Sequence, residues 1–224
     1  MRLWLRNNSL SLFFFALFAG ALVGQSLAGQ RVFNEEQLQH GGEPISFARY
    51  LVSSHFGSAV LENWQSEYLQ FTLFILATVW LIQRGSNESK PPEDVGLESD
   101  QKQLVGPHAQ RNSPRWAKIG GLPRRVYENS LLLVMTAIFV ASWAGQSVTA
   151  WSEFNEEQRA HDDEAVSWLS YVADPDFWEK TLQNWQSEFL AVGSMAVFTI
   201  YLRQRGSPES KPVGAPHDQT GSSG

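Results

Sequence analysis

The sequence predicts an all-α integral membrane protein in which four transmembrane helices form two parallel tandem repeats of two helices each. Three observations support this fold class. Long apolar stretches lack any charged residue, the two halves of the chain repeat each other at a fixed offset, and most basic residues fall on one side of the predicted spans. Together these patterns predict where each helix lies and which way it crosses the bilayer.

Four apolar stretches are the candidate spans. Residues 10–28 and 130–152 contain no Asp, Glu, Lys or Arg, and they reach the ~20 residues that a spanning helix needs. Residues 68–82 and 189–202 are also uncharged but shorter. Their assignment as spans therefore depends on the repeat.

The chain aligns with itself without a gap at an offset of 121 residues. Residues 8–91 match residues 129–212 at 36 of 84 positions, which indicates duplication. The strongest matches are the motifs GQS, FNEEQ, NWQSE, RGS and ESKP, which stand once in each half.

The repeat decides two assignments. The N-terminal apolar stretch has the basic start and small-residue end of a signal peptide, but its counterpart lies inside the chain, so a retained helix is predicted. The two shorter stretches recur at equivalent places. Extended upstream through NWQSE, they cover residues 63–82 and 184–202, about 30 Å of helix at 1.5 Å per residue.

Basic residues predict the orientation. Thirteen of the 17 Lys and Arg lie in the first seven residues, in residues 83–128 or after residue 202, whereas the two loops between paired spans carry two each. The positive-inside rule therefore places both termini and the linker in the cytoplasm and both loops outside. An even number of spans in each repeat makes the two repeats parallel.

Composition divides the chain into four segments. Residues 1–84 and 125–205 are the two membrane repeats. Residues 85–124 and 206–224 are rich in Pro, Gly, Ser and charge and show no apolar period. A disordered cytoplasmic linker and a disordered tail are therefore predicted.

Small residues recur every four positions in the first span of each repeat. Such spacing lets two helix backbones approach closely where the hydrophobic effect does not drive association. We expect these residues to form a packing face at which the first span of one repeat meets the first span of the other. They are Ala16, Gly20 and Gly24, with Ala137, Ala141 and Gly145.

Polar residues retained in both repeats collect at the predicted outer edge of the membrane. A Glu and a His stand four residues apart after the first span, so on a helix they share one face. A second Glu lies about one turn inside the following span, with a Gln from the first span as its predicted hydrogen-bond donor. The candidate binding residues are Gln25, Glu36, His40, Glu67, Gln146, Glu157, His161 and Glu188.

Two interpretations of this cluster stay open. Paired Glu and His side chains are the ingredients of di-metal sites in helical bundles, although those sites space Glu and His three residues apart. In the structural interpretation, FNEEQ begins a solvated interfacial helix with Glu near its positive end, and NWQSE belongs to an aromatic belt. Glu67 and Glu188 then either face a polar bundle interior or lie in water. We favour the structural interpretation, which requires no metal or other cofactor.

Composition argues against several classes of protein. The chain has no cysteine, which excludes disulfides and thiolate chemistry. Its net charge of −6 and scattered basic residues argue against a nucleic-acid partner. No phosphate-binding loop, dinucleotide fingerprint or nucleophile–base motif is present. The predicted spans contain neither proline nor a central charge, which disfavours transport through broken helices.

The tandem GQS…FNEEQ…NWQSE pattern resembles an uncharacterised bacterial membrane-protein family, a domain of unknown function, across nearly the whole chain outside linker and tail. The resemblance implies a multi-pass protein of the bacterial inner membrane and supplies no activity. We therefore expect a structural or accessory protein rather than an enzyme. Its expected partners are the lipid bilayer and either a second copy or another membrane protein. The alternatives are a metal-dependent or redox membrane enzyme using the outer Glu/His cluster, and an oligomeric solute or ion pathway.

Overall fold

The computed structural model describes residues 1–221, and these are helical without any strand. Four helices are long: α2 (Ser9–Gln39), α4 (Ser54–Trp80), α7 (Ser130–Ala160) and α9 (Pro175–Tyr201). The short α-helices are α1 (Arg2–Asn7), α3 (Phe47–Tyr50), α5 (Arg115–Lys118), α6 (Leu122–Glu128) and α8 (Trp168–Val172). Two 3-10 turns occupy Pro92–Asp94 and Gly106–His108. The all-α prediction is confirmed.

Helices α2 and α7 are long and apolar enough to cross a membrane. Each has 31 residues, about 46 Å at 1.5 Å per residue, and so extends beyond the apolar stretch into FNEEQ. FNEEQ therefore lies in the last turns of a continuous helix. The prediction that it begins a separate interfacial helix is wrong, and Glu36 stands near the negative C-terminal end of α2.

Helices α4 and α9 begin nine residues before NWQSE, at Ser54 and Pro175. Proline is well suited to the first helical position because its missing N–H would have no partner there. Each helix has 27 residues, about 40 Å. NWQSE thus occupies the second quarter of a long helix, not its start as the sequence predicted.

Contacts divide the chain into two compact units. One unit comprises Met1–Leu61 with Gly145–Asp174, and the other comprises Glu62–Ala144 with the chain from Pro175 onward. Each unit takes segments from both predicted repeats. This division cuts across the four segments predicted from composition, whose boundaries stay a prediction.

In the first unit, the Asn of FNEEQ holds the loop that follows it. The Asn34 side chain accepts a hydrogen bond from the Ile45 amide at 2.8 Å and donates to the Ile45 carbonyl at 3.1 Å. Asn155 binds the amide and carbonyl of Val166 in the same way, at 2.8 and 3.0 Å. One side chain therefore fixes both backbone groups of a loop residue eleven positions later.

The predicted packing face of small residues does not form at Gly20 and Gly24. A Cβ added to Gly20 or Gly24 would meet no atom of a neighbouring element within 4 Å in the described chain. A Cβ on Gly145 would lie 2.9 Å from Leu61 Cδ1. Gly145 of α7 therefore packs against α4, and the prediction that it meets Gly24 of α2 is wrong.

In the second unit, the linker and the tail follow a path of turns where the sequence predicts disorder. The Ser89 hydroxyl of the first ESKP accepts a hydrogen bond from the Gln83 amide at 2.9 Å, and Ser210 does the same for Gln204 at 2.9 Å. These bonds cap the chain where it leaves α4 and α9. The same motif therefore makes the same turn in both halves.

Lys211 of the second ESKP is buried among backbone carbonyls. Its ammonium donates to the carbonyl oxygens of Gly85 at 2.6 Å, Pro216 at 3.1 Å, His217 at 3.1 Å and Gln219 at 3.0 Å. Burial and the neighbouring Arg203 lower the pKa of this amine. One side chain thus ties the tail to the turn after α4.

Candidate functional site

The loop between α2 and α4 places a tyrosine in the interior of the first unit. Ser46 caps α3 by accepting a hydrogen bond from the Arg49 amide, and this short helix ends at Tyr50. The Tyr50 side chain is 1% exposed, and its ring packs between Phe33 of α2 and Phe56 of α4, with centroid distances of 5.9 and 5.4 Å. The anchored loop therefore delivers a phenol group between two long helices.

Tyr50, His55 and Glu153 form a chain of polar contacts. The Tyr50 hydroxyl lies 3.3 Å from Nδ1 of His55, in the first turn of α4. Nε2 of the same ring lies 3.9 Å from Oε1 of Glu153 on α7. A second bond joins these helices nearby, from the Ser54 hydroxyl to Glu156 Oε1 at 3.1 Å. Polar side chains thus connect α3, α4 and α7.

Electrostatics keep the Tyr50 phenol protonated. Burial raises the pKa of Tyr50, and the negative charges of Glu153 and Glu36 raise it further. The phenol therefore keeps its proton at neutral pH. The two ring nitrogens of His55 face the Tyr50 hydroxyl and the Glu153 carboxylate.

Gly29 makes room for the Tyr50 hydroxyl. A Cβ at this position of α2 would overlap the hydroxyl oxygen. Its counterpart at the 121-residue offset is Ala150, which is buried, as is Tyr171. Glycine at position 29 therefore leaves the space that the Tyr50 hydroxyl occupies.

The structure brings together the two candidate histidines that directly follow α2 and α7. The His40 and His161 rings meet edge to face with their centroids 5.9 Å apart, and both residues are exposed. Nδ1 of His40 contacts the Glu36 backbone carbonyl at 2.9 Å, so the pair four residues apart interacts through the backbone and not through the carboxylate. Glu157 is exposed.

The predicted cluster does not assemble as a ligand set. Within residues 1–221, no group of three or more His, Asp or Glu side chains is arranged to hold a metal ion. The arrangement can accept and donate protons and can join helices.

The predicted donor role of the Gln residues is wrong for Gln146. Its side chain is 1% exposed, and neither its amide nitrogen nor its carbonyl oxygen has a hydrogen-bond partner among the described residues. Gln25 is exposed, as is Glu67, whereas Glu188 is half-buried. Gln146 therefore does not donate a hydrogen bond to a Glu side chain in the described part of the chain.

In the second unit, NWQSE joins α4 to α9. The Trp185 indole donates to Gln65 Oε1 at 2.7 Å, and the Asn184 amide donates to Glu62 Oε1 at 2.7 Å. Gln65 is fully buried and also donates to the Glu62 carbonyl at 3.1 Å. Trp185 and Asn184 belong to the second copy of the motif, and Gln65 belongs to the first. NWQSE therefore acts as a polar helix-to-helix contact.

Sequence reasoning missed His55 and Glu153 because it considered only residues retained in both repeats. Their counterparts are Asp176 and Val32, so this pair exists once. Tyr50 could have been found, since Tyr171 matches it at the 121-residue offset. The available signal was an identical Tyr four residues after an identical Ser, Ser46 in one half and Ser167 in the other.

Comparison with protein-family models gives a match over nearly the whole chain. The family model described as "Domain of unknown function (DUF6766)" matches residues 1–222. No curated protein and no solved structure matches the chain significantly.

Proposed function

Because the chain belongs to the DUF6766 family, whose description assigns no activity, we propose its role from its residues: a structural or accessory multi-pass membrane protein. In this proposal α2, α4, α7 and α9 all span the membrane. The outer ends of α2 and α7, with α3 and α8, form an extracytoplasmic head held by polar contacts. The location proposed is the bacterial inner membrane.

The exposure of the apolar helices carries the membrane proposal. Only 6% of an apolar 18-residue segment of α2, and 17% of the corresponding segment of α7, is buried within the chain. A core helix of a soluble protein would bury such a surface, because exposed apolar patches of this size are unfavourable in water. Lipid tails supply the missing apolar surroundings.

Two observations support spans by α4 and α9 as well. Each is long enough to cross a ~30 Å hydrocarbon layer. Two polar pairs at the NWQSE level join the helices, Gln65 with Trp185 and Glu62 with Asn184. A polar group that is paired inside a helix bundle is tolerated in a membrane, whereas an unpaired one is costly.

Cysteine labelling tests the number of spans, since the chain contains no cysteine. Single cysteines are introduced at the exposed positions Gln39, Ser99 and Ala165. With four spans, a membrane-impermeant maleimide applied to whole cells labels positions 39 and 165 and spares position 99. Permeabilised cells, in which all three positions react, are the control.

A two-span protein gives a different pattern. If only α2 and α7 crossed the membrane, positions 39 and 99 would share one side and position 165 would lie on the other. Labelling of 39 and 99 together therefore contradicts the proposal. Extraction of the unmodified chain by alkaline carbonate without detergent would contradict membrane integration altogether.

A further inference from the structure

An Asn–Ser pair separates the short helix α1 from the long helix that follows it. The side-chain amide of Asn8 donates to the Trp4 carbonyl at 2.8 Å, and the Ser9 hydroxyl donates to the Arg6 carbonyl at 3.0 Å. Asn8 has φ −118° and ψ 13°, away from the helical values of about −63° and −42°. The two side chains therefore cap the end of α1, and the regular helix is interrupted before α2 begins.

The same pair interrupts the chain before α7. The Asn129 amide donates to the Arg125 carbonyl at 2.8 Å, and the Ser130 hydroxyl donates to the Tyr127 carbonyl at 2.8 Å. In each half the pair stands at the start of a long uncharged stretch. A short helix therefore ends in both halves where the proposed span enters the bilayer.

Helix α1 has a basic side and an apolar side. Arg2 and Arg6 stand four residues apart and so share one side, whereas Trp4 stands on the opposite side. Both arginines are exposed, and Leu3, Trp4 and Leu5 are exposed as well. A helix with this distribution suits the boundary between lipid headgroups and acyl chains, where tryptophan is enriched.

The sequence around α1 supplies no acidic partner for its arginines. The first acidic residue of the chain is Glu35, about 39 Å along α2 from Ser9. Helix α6 differs, because its Arg124 pairs with Glu128 at 3.0 Å and with Asp100 at 3.4 Å. The cationic side of α1 is therefore complementary to an anionic surface beside the start of the span.

We propose that α1 lies on the cytoplasmic surface of the membrane and binds the phosphate groups of anionic phospholipids through Arg2 and Arg6. Trp4 and the two leucines beside it then face the acyl chains and continue the lipid contact of α2. Guanidinium groups suit this partner because they bind phosphate oxygens in pairs. The proposal rests on the membrane-spanning role above, since only a span brings α1 to the lipid surface.

Quenching by brominated lipids tests which lipid lies beside α1. The full chain with Leu3→Cys, its only cysteine, carries a fluorophore at position 3. It is reconstituted into vesicles of phosphatidylcholine and phosphatidylglycerol, with one of the two lipids brominated near the start of its acyl chain. Each basic residue near an anionic surface favours association by about fivefold. We therefore expect phosphatidylglycerol to quench several-fold more than phosphatidylcholine at equal content.

Three variants serve as comparisons. Joint substitution by Arg2→Gln and Arg6→Gln should make the two lipids quench equally. Arg124→Gln removes an arginine that already has carboxylate partners, so this matched control should keep the preference. The same fluorophore at Leu27→Cys, near the other end of the same apolar stretch, should show no preference because no arginine of α1 reaches it.

Equal quenching by the two lipids at position 3 overturns the proposal, as does a preference that survives the loss of both arginines. Quenching at position 27 without quenching at position 3 would place α1 in water, which overturns the lipid contact while the membrane proposal stands. Absence of quenching at both positions contradicts the membrane proposal itself. The maleimide pattern at positions 39, 99 and 165 tests that proposal independently.

Discussion

The hydrogen bond between Gln65 and Trp185 predicts a measurable coupling energy between α4 and α9. Gln65→Leu keeps much of the side-chain volume but removes the acceptor of the Trp185 indole at 2.7 Å. It also removes the donor to the Glu62 carbonyl. Gln186, the repeat counterpart of Gln65 in the same motif, is exposed and provides the matched control.

The structure fixes the expected magnitude. Loss of a hydrogen bond costs about 0.5–1.5 kcal/mol net, and a buried donor left without a partner adds about 1–3 kcal/mol. Because Trp185 is only half-buried, we expect Gln65→Leu to lower the free energy of unfolding by about 2 kcal/mol. Gln186→Leu should change it by less than ~0.5 kcal/mol, as is usual for exposed positions.

A double-mutant cycle isolates the bond. Trp185→Phe alone leaves the fully buried Gln65 oxygen without its donor. The double variant removes both partners together, so its loss should be smaller than the sum of the single losses by about 1 kcal/mol. Unfolding is measured by titration with a denaturing detergent in mixed micelles. Strict additivity, or equal losses for Gln65→Leu and Gln186→Leu, would refute the contact.

Three further predictions concern the first unit. Gly29→Ala overlaps the Tyr50 hydroxyl and should destabilise the protein by about 1–3 kcal/mol, whereas Gly20→Ala, which meets no neighbouring element, should be neutral or stabilising in the same thermal assay. The raised pKa of Tyr50 means that its contribution to stability is present below its unfolded pKa of about 10 and is lost as pH rises through the native pKa. Tyr50→Phe should remove that component from the pH dependence of unfolding, and an unchanged alkaline profile would contradict it. Asn34→Ala and Asn155→Ala should each cost about 1–2 kcal/mol and raise amide exchange in the loop that follows, and protection that persists in both loops would show that other contacts hold them.

Periodicity and charge determine how much of the fold is predictable. Uncharged apolar stretches located α2 and α7, because hydropathy is a property of the segment itself. The true starts of α4 and α9 lie at Ser54 and Pro175, in polar sequence where apolar pattern gives no signal. The linker path was beyond prediction, since the burial of Lys211 depends on carbonyls brought together from distant segments.

Comparison of the two halves could single out only the residues that they share. It singled out His40 and His161, whose ring centroids lie 5.9 Å apart in the structure. It could not identify the His55–Glu153 contact, which joins one repeat to the other through residues found once. Helix packing was misjudged for a related reason: spacing shows that Gly24 and Gly145 are alike, but the neighbour of each depends on the chain around it.

The bond between Gln65 and Trp185 also bears on how the chain is made. In the proposed arrangement, the apolar part of α2 has no charged side chain that needs a partner, so α2 can enter the bilayer as soon as it is synthesised. Gln65 follows soon afterwards, but its indole partner lies 120 residues further along the chain. Until Trp185 has been synthesised, the side-chain amide of Gln65 therefore remains in water or in contact with the insertion machinery. Stable insertion of the first half then depends on completion of the second.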